Sequence, residues 1–217
     1  RAGQLPAVSW IVAPTKFCEH PEKNPPGYGE SLSARLLDVL TEDPQVWAQT
    51  VFILCYDEEG GFFDHVLPPV PPATRHDGYS SVSTAGEISK GEAFGLGARL
   101  PFIIASPWTR GGYVCSDVFD HTSILQFLEK RFGVKEPNIS AWRRSICGDL
   151  TSMFDFRRQD VHRPQQLFTT PHQDYIQRAN QACETKKSYE TPRVEQLVRT
   201  ENIDQALPRP ARALGYA

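Results

Sequence analysis

The sequence predicts an α/β fold organised around a mainly parallel central sheet, and three observations carry that expectation. Three runs of β-preferring apolar residues, Ala7 to Ala13, Val51 to Tyr56 and Leu100 to Ala105, lack the polar alternation of a half-solvated strand. Each is therefore expected to be covered on both faces. Between the first two lies SLSARLLDVL, in which Leu32, Leu36, Leu37 and Leu40 recur at helical spacing. Finally, DEEGG follows the middle run directly, at the sheet end where open α/β sheets bind ligands.

Taken in order, strand 7–13, a helix over 31–40 and strand 51–56 form a βαβ unit, which requires parallel pairing and a right-handed crossover. Gly60-Gly61 then lets the backbone turn freely after the acids. Residues 66–98 are rich in Pro, Gly and Ser and have no apolar period, so they predict a long excursion at the same sheet end. After the third strand, DHTSILQFLEKRFG predicts a helix with Asp120 as N-cap, a stripe of Ile124, Leu125, Leu128 and Phe132, and a stop at Gly133. Beyond Phe156 the hydrophobic residues thin out, and 157–217 reads as a peripheral tail with at most one helix.

Bulk properties narrow the function classes. The chain has 217 residues with 40% hydrophobic content, enough for a sizeable core. With 23 basic and 26 acidic side chains the net charge is -3, so nothing marks a nucleic-acid surface or a basic membrane-docking face. No apolar run approaches the roughly 20 residues needed to cross a bilayer. The N-terminus RAGQLPAVSW has neither an initiator Met nor a signal-peptide pattern, and the chain is expected to be a mature, cleaved or truncated piece. Five cysteines (Cys18, Cys55, Cys115, Cys147 and Cys183) show no CxxC or Cys/His zinc spacing.

Each candidate for chemistry carries an alternative. Asp57 and Glu58 can converge at a strand end, where two carboxylates repel unless a cation or shared proton compensates. A hard divalent metal is one reading; a turn cap at Asp57 with Glu58 and Glu59 solvated is the other. His20, after the first strand, is a catalytic candidate or a structural loop histidine. Asp64 and His65 form an acid/base pair or a polar turn, and Asp120 and His121 are site residues or simply an N-cap and its first-turn neighbour. Trp10, Trp47, Trp108 and Trp142 read as core or as part of a head-group cage. GLGARL at 95–100 precedes a strand and does not join a strand to a helix, so it is no dinucleotide fingerprint; no GxSxG elbow or P-loop occurs.

Four stretches in this order, HP, YDEEGGFFDHVLPP, RLPFIIASPWTRGG and DHTSILQFLEKRFGV, resemble the bacterial phosphoesterase family of phospholipases C and acid phosphatases over roughly residues 7 to 156. EPNISAWRRSICGDLTSMFDF is more similar to the phosphocholine-preferring phospholipase C branch. The resemblance implies an alkaline-phosphatase-like sandwich, with 1–156 as the C-terminal part of the catalytic domain. It also implies one divalent metal ion held in part by Asp57 and Glu58, a phosphoenzyme mechanism, and His20 as a group that binds or protonates phosphoryl oxygens. Asp64, His65, Asp120 and His121 fall in family motifs as supporting residues.

The family's early Glu-Asn pair, its Ser or Thr nucleophile and a further His are absent from this chain, so they are expected in an N-terminal partner segment, and the chain alone is expected to be inactive. By resemblance the substrate is a phospholipid or other phosphoester, with transient membrane-surface contact and a secreted or periplasmic location. An acid phosphatase and a non-catalytic lipid-binding or assembly fragment are the alternatives.

Overall fold

The computed structural model describes residues 5–162 and 171–185. Contacts group residues 1–179 as one unit, and of the second, 180–217, only the first six residues are described. In order, the elements are α1 (Gly27–Glu42), α2 (Pro44–Trp47), β1 (Phe52–Cys55), β2 (Ile88–Ser89), β3 (Glu92–Ala93), β4 (Phe102–Ala105), α3 (His121–Phe132), α4 (Ala141–Ile146) and α5 (His172–Thr185). The chain is mixed α/β, as expected. The helix predicted over 31–40 is α1, with its four leucines half-buried, and the polar tail contains α5.

Two expectations about the sheet are corrected. Ala7 to Ala13 forms no strand: it is exposed throughout, with Val12 at 88%. Apolar, β-branched composition favours an extended backbone, but a strand also needs a ladder partner, and none of the described residues pairs with it. The βαβ unit is therefore not built. The other two runs do pair, as β1 and β4, but antiparallel, with Phe52 opposite Ala105 and Cys55 opposite Phe102. The connection between them is the irregular excursion, without the helical crossover that parallel strands require. Among the described residues both sheets are two-stranded and antiparallel, so the mainly parallel central sheet is not seen. β1 is half-buried and Ile103 on β4 is 56% exposed.

The buried hydrophobic residues lie outside these strands: Trp47 on α2, Ile124 on α3, Ile139, Trp142 on α4, Cys147 and Leu150. Burial pushes the Cys147 thiol up to about 12. Between Trp108 and α3, Phe154 stacks on Phe127 and Phe156 at centroid distances of 5.1 and 5.0 Å.

Within the excursion, β2 and β3 make a two-residue hairpin through Lys90 and Gly91, both at positive φ (54° and 84°), the turn whose twist matches the strands it joins. Its base is latched by Asp64, whose carboxylate accepts the Arg99 backbone N–H at 2.8 Å and the Arg99 guanidinium at 2.8 to 3.2 Å. The local signals of α3 hold in detail. Asp120 accepts the Thr122 N–H at 2.9 Å, Ser123 Oγ accepts the Asp120 N–H at 3.1 Å, and Gly133 adopts φ 69° with its N–H on the Glu129 carbonyl.

Candidate active site

β1 ends at Cys55, and Tyr56 continues the ladder one step by donating its N–H to the Pro101 carbonyl at 3.2 Å. Asp57 and Glu58 follow and are exposed. Glu58 Oε2 accepts the Gly60 N–H at 2.7 Å, and Gly60 and Gly61, at φ 74° and 73°, reverse the chain. That conformation is the left-handed one that glycine adopts at no steric cost. The acid charge is felt behind it: burial first, then the Asp57 carboxylate, raises the Cys55 thiol above its ordinary value.

Two other segments meet this turn. The Cys18 to Pro21 segment approaches from one side, since a Cβ on Gly60 would stand 3.5 Å from Pro21 Cγ. There the Tyr56 hydroxyl donates to the Glu19 carboxylate, and a Cβ on Gly29 of α1 would run into that same carboxylate. Burial raises the Tyr56 phenol well above its usual range, with the Glu19 hydrogen bond adding to it. Burial likewise raises Glu19, partly offset by the Tyr56 bond.

His20, next to Glu19, is exposed, and its Nδ1 accepts the Glu22 N–H at 3.3 Å, which puts the proton of the neutral ring on Nε2. From the other side, His121 at the start of α3 lies 2.9 Å through Nε2 from the Tyr56 carbonyl. A carbonyl can only accept, so Nε2 carries the proton and Nδ1 of the neutral ring is left with a lone pair.

The remaining acids have different surroundings. Asp64 is the loop latch: the Arg99 guanidinium and backbone N–H, with the Val66 N–H, hold its carboxyl far below the usual carboxylate range. His65 is exposed with Nδ1 3.9 Å from that carboxylate, a loose contact. Asp120 caps α3 with one oxygen and accepts Arg143 Nη1 with the other at 2.6 Å. Asp57, Glu58, His20 and His121 therefore border one end of β1, while Asp64 and Asp120 spend their oxygens on the framework. The residues that the sequence reading missed are Glu19, Tyr56, Glu87, Arg99 and Arg143. Glu19 had a signal, adjacency to His20 in CEHP; Glu87 and Arg143 had none, because their partners lie tens of residues away.

For a divalent metal the donor chemistry can be tested. Asp57 and Glu58 offer hard carboxylate oxygens of the kind such ions prefer, are exposed, and enter no ion pair among the described residues. No group of three or more His, Cys, Asp or Glu that could hold a metal ion occurs among the described residues. These two residues fit the ion as part of a ligand set and not as a whole one.

The chain is similar to known proteins over most of the described residues. The model of the Phosphoesterase family matches residues 1–135, more than half of the chain, and the chain belongs to that family. Several proteins similar to it are bacterial phospholipases C. It is 60% identical over 155 residues to a hemolytic phospholipase C of Pseudomonas aeruginosa, covering 70% of this chain and 21% of the relative. It is 51% identical over 173 residues to a non-hemolytic phospholipase C of Burkholderia pseudomallei (75% and 25%). Phospholipase C A of Mycobacterium tuberculosis is 44% identical over 162 residues (72% and 31%). The chain thus spans between about a fifth and a third of the length of these relatives.

Proposed function

We propose that this chain forms part of a phospholipase C-type phosphodiesterase that cleaves phosphatidylcholine-like phospholipids into diacylglycerol and a phosphorylated head group. The observation that carries the reading is the meeting of three separate family segments at one end of β1: the His20-Pro21 turn, the Asp57-Glu58 turn and the first residue of α3. The bacterial phospholipase C relatives give the reaction class. The fold of the whole catalytic domain is proposed to be alkaline-phosphatase-like, with 1–156 inside it and 157–217 peripheral. The nucleophile and the remaining ligands come from outside these 217 residues, and the location is secreted or periplasmic.

Asp57 and Glu58 would hold one divalent ion, which when bound neutralises charge on the phosphoryl oxygens. Phosphoryl transfer depends mainly on positioning and charge neutralisation, and the residues present serve those needs. His20, with its proton on Nε2, is a donor toward a phosphoryl oxygen. His121 fixes the peptide that leads into Asp57 and keeps a free Nδ1 lone pair facing away from that bond. The Tyr56 to Glu19 hydrogen bond ties the His20 segment to the acid turn.

The test compares phosphatidylcholine with p-nitrophenyl phosphate as substrates of the full-length protein that carries this segment. Diester cleavage with release of diacylglycerol is the expected result. Turnover of the monoester alone would replace this reading with an acid phosphatase.

A further inference from the structure

Arg143 lies on α4, beyond residues 1–135 that the family model matches, and it bonds both the 66–98 excursion and the start of α3. Its Nη1 donates to Asp120 Oδ2 at 2.6 Å; Nε and Nη2 donate to the two oxygens of Glu87 at 2.8 and 3.0 Å; and Nη2 also reaches the Gly95 carbonyl at 2.9 Å. Glu87 is only 3% exposed and accepts the Ser140 hydroxyl as well, at 2.7 Å. The second oxygen of Asp120 caps α3, whose first residue is His121, and His121 bonds the Tyr56 carbonyl. A continuous set of hydrogen bonds and adjacent residues therefore runs from the 66–98 excursion to the peptide before Asp57.

We propose that Arg143 is a positioning residue: by clamping Asp120 to Glu87 and Gly95 of the excursion, it fixes the start of α3 so that His121 is held on the end of β1. The N-cap uses one carboxylate oxygen, Oδ1, which accepts the N–H and the hydroxyl of Thr122, so the cap ties Asp120 to its own helix and to nothing outside it. Arg143 takes the second oxygen and so ties the helix start to Glu87 and Gly95. The planar fork of Arg supplies five donors in a fixed array and satisfies four acceptor atoms here; Lys has the charge, but three donors on a flexible stem. Arg143→Lys is therefore not conservative at this site.

Arg144 provides the control. It makes a similar clamp, to both oxygens of Glu129 at 2.7 and 2.8 Å and to the Glu136 carbonyl at 2.7 Å, at a similar exposure (25% against 22%). Its partners are at the far end of α3, away from His121.

The kinetic part of this proposal rests on the phosphodiesterase reading; the structural part does not. The test uses the full-length protein with ¹⁵N-labelled histidine. The His121 Nε2–H tautomer is followed by ¹⁵N–¹H correlation, assigned with His121→Gln, alongside melting temperature and hydrolysis of a short-chain phosphatidylcholine. Arg143→Met and Arg143→Lys are expected to lose the fixed His121 signature and to lower kcat about tenfold or more, with KM changed by less than about threefold, as misplacement of a reacting group does. Arg144→Met should lower the melting temperature comparably and keep both readouts. If Arg143→Met does not fold, Arg143→Lys decides. An unchanged His121 signature in the Arg143 variants, or its equal loss in Arg144→Met, overturns the proposal. A lost signature with no phospholipid hydrolysis even by the wild type upholds the clamp and removes the phosphodiesterase reading instead.

Discussion

Gly95 and Gly97, two residues apart in GLGARL, are expected to respond oppositely to alanine. Gly95 is buried at φ 63°, and a Cβ there would stand 2.9 Å from Val70 Cγ2, 3.0 Å from the Pro69 carbonyl oxygen and 3.1 Å from Val70 Cα. Two of those three atoms are backbone, so relief requires the excursion itself to move. The left-handed conformation costs an alanine roughly 1–2 kcal/mol, and overpacking a filled site adds about 1–3 kcal/mol, so a loss of about 2–5 kcal/mol is expected for Gly95→Ala. Gly97 is exposed, has no positive φ, and its Cβ would meet nothing within 4 Å. Gly97→Ala should be neutral or slightly stabilising, because alanine restricts the unfolded chain more than glycine does.

Hydrogen exchange in the full-length protein reads the difference locally. The Leu96 N–H donates to the Pro69 carbonyl at 2.9 Å, the same oxygen that the new methyl would crowd. At tenfold per 1.4 kcal/mol, its exchange should accelerate about 30- to 4,000-fold in Gly95→Ala. No acceleration should appear in Gly97→Ala. Equal protection of Leu96 in both variants, or a larger effect at Gly97, would refute the packing argument.

Three further outcomes are expected. Asp57→Asn in the full-length protein should abolish hydrolysis while changing stability by no more than about 0.5 kcal/mol, as for an exposed side chain; normal turnover would remove Asp57 from the site. His20→Ala should lower kcat more than it raises KM if the imidazole acts on the transition state, and a pure rise in KM would make it a ground-state binding residue. Finally, the Arg144 guanidinium and the Glu136 N–H hold Glu129 at about 2, below its ordinary 4.5. A depressed folded value means that its contribution is present above pH 4.5 and is lost as pH falls toward about 2. The stability gap between wild type and Arg144→Met, measured by denaturant unfolding, should therefore narrow across that window; a constant gap would contradict the pairing.

What the sequence determined by itself was whatever is decided within a few residues. Asp120 and Gly133 set both ends of α3 because a cap bonds a backbone group two to four positions away. Gly60 and Gly61 reverse the chain after the acids because only the missing Cβ makes that conformation cheap. The order of the motifs was also legible, and it carried the family.

The direction of β1 against β4 was not, since apolar runs have the same composition and period in parallel and antiparallel pairs. The failure of Ala7 to Ala13 to form a strand has the same root: propensity selects an extended backbone, while a ladder needs a second chain segment beside it. The division of labour among the acids was legible only in part. In sequence Asp57 and Glu58 read as metal ligands, Asp64 as an acid/base partner or a polar turn, and Asp120 as an N-cap or a supporting site residue. Only tertiary contact, to Arg99 35 residues from Asp64 and to Arg143 23 residues from Asp120, commits Asp64 and Asp120 to the framework and leaves Asp57 and Glu58 exposed at the strand end. A carboxylate's role follows from which cation the fold brings to it, and local sequence does not encode that neighbour.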